Sequence, residues 1–224
     1  MKWAALLLLA GSVWAGDDPR LTFTKSFPGS APAFVMVTLE KNGDTEYREA
    51  ADDDQPLKFK LADADAQTVF GLAEKLDYFK HPLESPLKVA FMGTKTFRYE
   101  NGAVKNEVKY NFSEDPSAQA LQDWFERMSE SAQYRIELER AAKYDHLGVV
   151  HALMLVNSGL NSRRLVALDQ FLPMLDRISN NEMYMHTARV QAAEIADTIR
   201  NARPAAGDPP AAKPPGHNPP ADRP

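Results

Sequence analysis

Two Asn-Gly dipeptides constrain the fold of this chain more than any other feature of its sequence. Both residues of such a dipeptide tolerate positive φ, which suits the two-residue turn of a β-hairpin. The segments on each side alternate between apolar and polar residues, and they are 34–40 and 45–50 around Asn42-Gly43, and 95–100 and 103–112 around Asn101-Gly102. The pattern therefore predicts two antiparallel hairpins.

The rest of the first half adds strands and one helix to these hairpins. Residues 57–61 alternate with a period of two, and the apolar, β-prone run 88–92 also predicts a strand. A helix is expected over 65–79, because its apolar residues fall on one stripe, namely Val69, Leu72, Ala73 and Leu76. We therefore expect an α+β domain over 16–113, with an antiparallel sheet and one packed helix.

The second half has a helical period throughout. Asp115 can cap a helix that begins at Pro116, where a missing N–H costs nothing, and this helix is expected to reach Tyr144. Further helices are expected near 146–158, 163–178 and 181–202, the last opened by a capping box over 179–182. Short connections favour antiparallel neighbours, so we expect a helical bundle or helical-hairpin domain over 114–202.

The two ends of the chain differ from the body in composition. Lys2, the uncharged run 3–14 and Val13-Trp14-Ala15 together are typical of a signal peptide over 1–15, cleaved after Ala15. This run is shorter than the roughly 20 residues that cross a bilayer, so we expect no membrane insertion and a periplasmic or secreted protein. Residues 203–224 hold eight prolines, with Pro-Pro pairs every five residues, and predict a disordered Pro-rich spacer.

Composition excludes several classes of function. The chain has no cysteine, which excludes disulfides, thiolate zinc sites, iron–sulfur clusters and cysteine nucleophiles. Its formal net charge is −5 and it has no basic cluster, so phosphate backbones would repel it. We therefore expect no nucleic-acid partner.

One pair of residues has a spacing suited to a metal ion. Glu182 and His186 are four residues apart and would share a face if both lay on one helix. A third ligand would have to come from a neighbouring helix, either His151 or Asp176. An ordinary surface pair is the competing interpretation, and we expect no cofactor.

Two other motifs are interpreted as coincidences. The acidic run 52–54 lacks the alternating oxygens and the glycine of a calcium loop, which indicates a solvated turn. Ser85 and Lys88 match Ser-x-x-Lys, but Pro86 and the β-prone residues that follow argue against the helix start that this acylating motif needs.

Two segments of the helical half resemble predicted exported bacterial proteins of unknown function. They are DPSAQALQDWFER at 115–127 and LDQFLPMLDRI at 168–178. The resemblance implies export and a bacterial source. It implies no activity and assigns no functional residue.

These observations favour an exported, non-enzymatic binding protein of the bacterial envelope, with an unknown protein partner and an open oligomeric state. The methionines of the last helices, Met154, Met174, Met183 and Met185, are expected to fill the core. If they are exposed instead, they would form an adaptable contact surface. A metal-dependent or acid–base hydrolase of an envelope polymer or small metabolite, and an inhibitor of a secreted enzyme, are the alternatives.

Overall fold

A computed structural model describes residues 18–201, which form an α+β fold. Its strands are β1 (Arg20–Ser26), β2 (Phe34–Glu40), β3 (Asp44–Arg48), β4 (Leu57–Lys60), β5 (Thr94–Asn101) and β6 (Val104–Tyr110). Its helices are α1 (Asp63–Lys75), α2 (Pro116–Tyr144), α3 (Val149–Asn161), α4 (Leu172–Ser179) and α5 (His186–Asn201). The predicted signal peptide and Pro-rich tail lie outside the described residues.

The six strands form one antiparallel sheet in the order β4-β3-β2-β1-β5-β6. Both predicted hairpins are confirmed as β2–β3 and β5–β6. At the first turn Gly43 has a φ of +90°, and a Cβ there would lie 2.5 Å from the carbonyl oxygen of Leu61. Only glycine fits this turn.

The central strand β1 was absent from the sequence-based prediction. It pairs with β2 on one side and β5 on the other, so it joins the two hairpins into one sheet. Its signal was the alternation of Leu21 and Phe23 with threonines, and both apolar side chains are buried. The alternation is short and has no Asn-Gly dipeptide beside it, so the sequence alone does not distinguish it from a loop.

The helix predicted over 65–79 is shorter than expected. α1 ends at Lys75, and a 3-10 turn follows at Asp77–Phe79 with positive φ at each of its residues. Tyr78 stacks on Tyr99 at 4.4 Å between ring centroids, and Phe79 stacks on Phe97 at 5.2 Å. These contacts with the sheet replace the last helical turn.

The strand predicted over 88–92 is wrong. This segment has no regular structure and follows Pro86, while Gly93 at φ +89° ends it. Pro86–Gly93 forms no backbone–backbone hydrogen bond with any residue between 18 and 201. Its backbone is bound by side chains instead, so β propensity alone did not make it a strand.

Two hydrophobic cores meet along α2. The first half of this helix covers the sheet together with α1, and Phe125 stacks on Phe23 at 5.3 Å. The sheet therefore packs against two helices, and the prediction of one is corrected. The second half of α2 packs with α3, α4 and α5 around a separate core that includes Leu138, Leu153 and Phe171. The predicted domain border at 113/114 therefore falls beside a helix that belongs to both cores.

The helix predicted over 163–178 begins later. Arg163 and Ala167 have positive φ, and a 3-10 turn at Leu168–Phe171 leads into α4. Val166 donates its backbone N–H to Ser131 Oγ of α2 at 2.8 Å, which holds the preceding loop in place.

Within 18–201 no helix combines the length and apolar character needed to cross a bilayer.

Candidate functional site

Glu182 and His186 do not lie together on one helix. The capping box predicted over 179–182 is wrong, because α4 ends at Ser179 and α5 begins only at His186. Between them the backbone N–H of Met183 donates to Asn181 Oδ1 at 2.9 Å. Tyr184 is buried and its hydroxyl donates to the carbonyl of Ala142 at 2.9 Å. This tyrosine anchors a turn where the sequence predicted the start of a helix.

The proposed third ligands are placed differently. Asp176 forms an ion pair with Arg200 of α5, and His151 is exposed on α3. In the part of the chain that the structure describes, His, Asp and Glu side chains form no group of three that could hold a metal ion. The prediction that Glu182 and His186 share one helix face, on which the hydrolase alternative depended, is therefore wrong.

A groove of about 530 Å³ lies between strands β3 and β4 and helix α2. Tyr47 on its wall donates to Glu49 Oε1 at 2.9 Å and accepts from Gln133 Nε2 at 3.0 Å. Burial raises the pKa of the Tyr47 hydroxyl well above its ordinary value. Arg135 donates to Glu139 and to the carbonyl of Lys58. These groups are bound to one another, which favours a structural role.

The motifs interpreted as coincidences have ordinary surroundings. Asp53 Oδ1 accepts from the backbone N–H of Gln55 at 2.9 Å, which is a local turn. Ser85 is buried and its hydroxyl donates to Glu114 Oε2 at 2.7 Å, whereas Lys88 is exposed. The serine and the lysine of Ser-x-x-Lys thus have separate environments.

The segment 86–93, which forms no strand, carries exposed apolar side chains, and Phe27 packs beside them. Together they form what we call the loop surface, which consists of Phe27, Leu87, Val89, Phe91 and Met92. Leu87 is 55% exposed and Phe91 is 59% exposed. The ring of Phe91 packs edge-on against Phe27 with centroids 6.0 Å apart. Exposed apolar side chains that cluster in this way are typical of an interaction site.

Two side chains, Asn111 and Ser85, bind the backbone of the loop surface. Asn111 Oδ1 accepts from the backbone N–H of Met92 at 2.7 Å, and Asn111 Nδ2 donates to the carbonyl of Ala90 at 3.1 Å. At the start of the segment the backbone N–H of Leu87 donates to Ser85 Oγ at 3.1 Å. These bonds give the exposed side chains a defined position.

Charged side chains fix Asn111 in turn. Lys95 is 3% exposed and its Nζ donates to the carbonyl of Asn111 at 2.7 Å, while the backbone N–H of Asn111 donates to Glu84. Burial lowers the pKa of Lys95, and the positive charge of Lys25 adds to this shift. The sequence did not indicate this arrangement. Lys95 occupies an inward position of β5, in line with Phe97 and Tyr99, where the alternation predicts an apolar residue and not a buried charge.

A second exposed apolar surface lies in the helical half. Met183 is 72% exposed and Met185 is 46% exposed, on either side of the buried Tyr184. Leu147 is 76% exposed and follows His146, whose ring lies 5.0 Å from the ring of Tyr184. Of the four methionines expected in the core, only Met174 packs against it. We call Leu147, Met183 and Met185 the methionine surface.

Comparison with known proteins adds no relative: no family model, curated protein or solved structure matches this chain.

Proposed function

We propose that this chain is an exported, non-enzymatic interaction protein of the bacterial envelope, and that it binds an extended segment of a partner protein at the loop surface. The observation that carries the proposal is the exposed apolar run from Leu87 to Met92, which hydrogen bonds hold in a defined position. Burying the side chain of Phe91 or Leu87 would contribute roughly 1.5–3 kcal/mol each if burial were complete.

The backbone of the run indicates the kind of partner. Asn111 binds the carbonyl of Ala90 and the N–H of Met92, two groups that point to the same side, as they would toward a neighbouring strand. In an extended chain the N–H and C=O groups of Val89 and Phe91 then point to the other side. They form no backbone–backbone bond with residues 18–201. A partner strand that pairs there would satisfy them, which is recognition by strand addition.

The side chains of the run indicate the sequence of the partner. Leu87, Val89 and Phe91 alternate with Lys88 and Ala90, so the apolar ones share one face if the run is extended. A segment that pairs with it would place its own apolar residues opposite these three. We therefore expect a partner segment with alternating apolar residues and no proline.

Export, cleavage after Ala15 and a tail that acts as a disordered spacer belong to the same proposal. They are supported by the uncharged run 3–14 and by the Pro-Pro pairs of 203–224. The tail would let the folded body reach a partner while the end of the chain is held elsewhere in the envelope. Labelling the mature N-terminus of the exported protein tests the cleavage directly.

Strand addition is tested by two substitutions at Val89. Val89→Pro removes the N–H and keeps an apolar side chain, whereas Val89→Asn keeps the N–H and removes the apolar side chain. Peptides are first selected on the purified wild-type protein from a displayed library of seven-residue sequences with alternating apolar positions. Their dissociation constants are then measured by calorimetry, with Val104→Asn as the control, because Val104 is similarly exposed outside the loop surface.

We expect both Val89 variants to weaken binding, and the control to leave it unchanged. Losing one hydrogen bond costs about 0.5–1.5 kcal/mol, so Val89→Pro should raise the dissociation constant about two- to twelvefold. Binding that survives both Val89 substitutions, or that falls equally in Val104→Asn, would refute the proposal.

A further inference from the structure

The two methionines beside Tyr184 have no structural task in the described fold. Met183 and Met185 are exposed although methionine usually fills cores, and their side chains lie outside both hydrophobic cores. A thioether on the surface forgoes the free energy of burial, which is about 25 cal/mol per Å² of apolar area. The pair therefore calls for an explanation other than packing.

The two exposed methionines flank one buried side chain, that of Tyr184. Tyr184 is 3% exposed and its hydroxyl is bound to Ala142, so the residues before and after it both face solvent at the same turn. Residues two apart are separated by at most about 7 Å between their Cα atoms. Three rotatable bonds in each methionine side chain let the sulfur atoms approach a common point.

Two imidazoles accompany the thioethers. His186 follows Met185 directly, and the ring of His146 lies 5.0 Å from that of Tyr184. Neither imidazole forms a side-chain hydrogen bond or ion pair with any residue of 18–201. Their nitrogen lone pairs are therefore free for a ligand.

From this arrangement we infer that the turn at 183–186 is a binding site for Cu(I), with the thioethers of Met183 and Met185 and the imidazoles of His186 and His146 as ligands. Thioether sulfur is a soft ligand that selects Cu(I), and imidazole suits copper as well. In a chain without cysteine, methionine supplies the only soft sulfur. The site is independent of the loop surface and of the proposed partner.

The ligand set differs from the one that sequence spacing suggested. Glu182 offers a carboxylate, a hard ligand suited to Mg²⁺, Ca²⁺ or Mn²⁺, and Asp176 is bound to Arg200. Only His186 is common to both sets. The site should therefore prefer Cu(I) to Zn²⁺, which rarely takes thioether ligands.

Competition with a chromophoric Cu(I) chelator, without oxygen and with ascorbate present, tests the inference. The purified protein is compared with Met183→Leu/Met185→Leu, with His186→Ala/His146→Ala and with Met92→Leu. The last is a matched control, because Met92 is 42% exposed in the loop surface. Leucine conserves volume, and circular dichroism of each variant verifies the fold.

We expect the wild-type protein to retain one equivalent of Cu(I). Both double substitutions should weaken binding by at least about tenfold, since loss of even an outer partner of a metal ligand typically costs 10–100-fold. Met92→Leu and Glu182→Ala should match the wild type. In NMR spectra, Ag(I), a diamagnetic substitute, should shift the methyl signals of Met183 and Met185 but not that of Met92.

Three outcomes would overturn the inference. They are transfer of all Cu(I) from the wild-type protein to the chelator, equal affinity in the methionine double variant, and a loss of the same size in Met92→Leu. Tight Zn²⁺ binding that depends on Glu182 would likewise overturn it, because it would favour the ligand set that contains this carboxylate over the set that contains the two methionines.

Discussion

Replacing Asn111 by alanine should release the loop surface without disturbing β6, the strand that Asn111 follows. The Asn111 side chain makes two hydrogen bonds to the loop backbone, at Met92 N–H and at the Ala90 carbonyl. The bonds to Lys95 and Glu84 involve the Asn111 backbone, so alanine retains them. The substitution thus removes the contacts to the loop alone.

The expected magnitude follows from the two lost bonds. Each contributes about 0.5–1.5 kcal/mol net, so the free energy of opening the loop should fall by about 1–3 kcal/mol. Because about 1.4 kcal/mol corresponds to a factor of ten, the amide proton of Met92 should exchange with solvent roughly 5- to 150-fold faster. The free energy of unfolding of the whole protein should fall by no more than the same amount.

Hydrogen exchange measured by NMR at the amide of Met92 is the direct assay. Asn106→Ala is the matched control, because Asn106 lies on β6, the strand that Asn111 directly follows, and its side chain donates to the carbonyl of Tyr78. Asn111→Asp provides an intermediate case, since a carboxylate can accept from Met92 but cannot donate to Ala90. Unchanged exchange in Asn111→Ala, or equal acceleration in Asn106→Ala, would refute the view that this carboxamide holds the loop surface.

Three further predictions concern stability. Phe97→Ala should lower the free energy of unfolding by about 3–5 kcal/mol because the ring is fully buried, whereas Phe91→Ala on the exposed loop should change it by less than about 0.5 kcal/mol in urea titrations. Arg164→Met should cost about 1–3 kcal/mol by the same assay, because this side chain is only 32% exposed and its guanidinium binds Glu130 through two bonds of 2.9 Å. Burial raises the pKa of Tyr47 and of Tyr110. The stability that their neutral hydroxyls provide is therefore complete below about pH 10, the pKa of tyrosine in the unfolded chain, and is lost as the pH rises further. The double variant Tyr47→Phe/Tyr110→Phe should consequently lose less stability than the wild type between about pH 9 and pH 11.

Each of these predictions has a comparison that could contradict it. A similar loss of unfolding free energy in Phe97→Ala and Phe91→Ala would contradict the difference in burial between the two rings. Arg140→Met, which removes an exposed pair with Glu137, should change stability by less than about 1 kcal/mol, and an effect as large as that of Arg164→Met would argue against a special role for the latter. For the tyrosines, equally steep alkaline destabilisation of the wild type and the variant would exclude them as its cause.

Local sequence patterns predicted the elements whose boundaries depend on a few neighbouring residues. Asp115 caps α2 as expected, since its carboxylate accepts from the backbone N–H groups of Ser117 and Ala118. Ser129 and Ser131 lie inside this helix, where each hydroxyl donates to a carbonyl one turn back and both residues are buried. The continuity of α2 thus depended on packing as well as on local propensity.

The candidate sites could be predicted only in part. His186 was identified from its spacing to Glu182, but the turn that contains Met183 and Met185 depends on the hydrogen bond from Tyr184 to Ala142, 42 residues earlier in the sequence. The apolar run 88–92, which carries three residues of the loop surface, predicts a strand from the sequence. Its true state depends on Asn111, which is 19 residues from Met92. No local pattern contains such partners.

By itself, the sequence determined the two hairpin turns, the start of α2 and the α+β class. These follow from the φ preference of Asn-Gly, from side-chain capping and from the period of the apolar residues, all of which act within about one turn of backbone. Only the tertiary structure decided which apolar residues are buried and which are exposed. Burial depends on which distant segments meet, and so the leucines, phenylalanines, valine and methionines of the two surfaces look in the sequence like ordinary core residues.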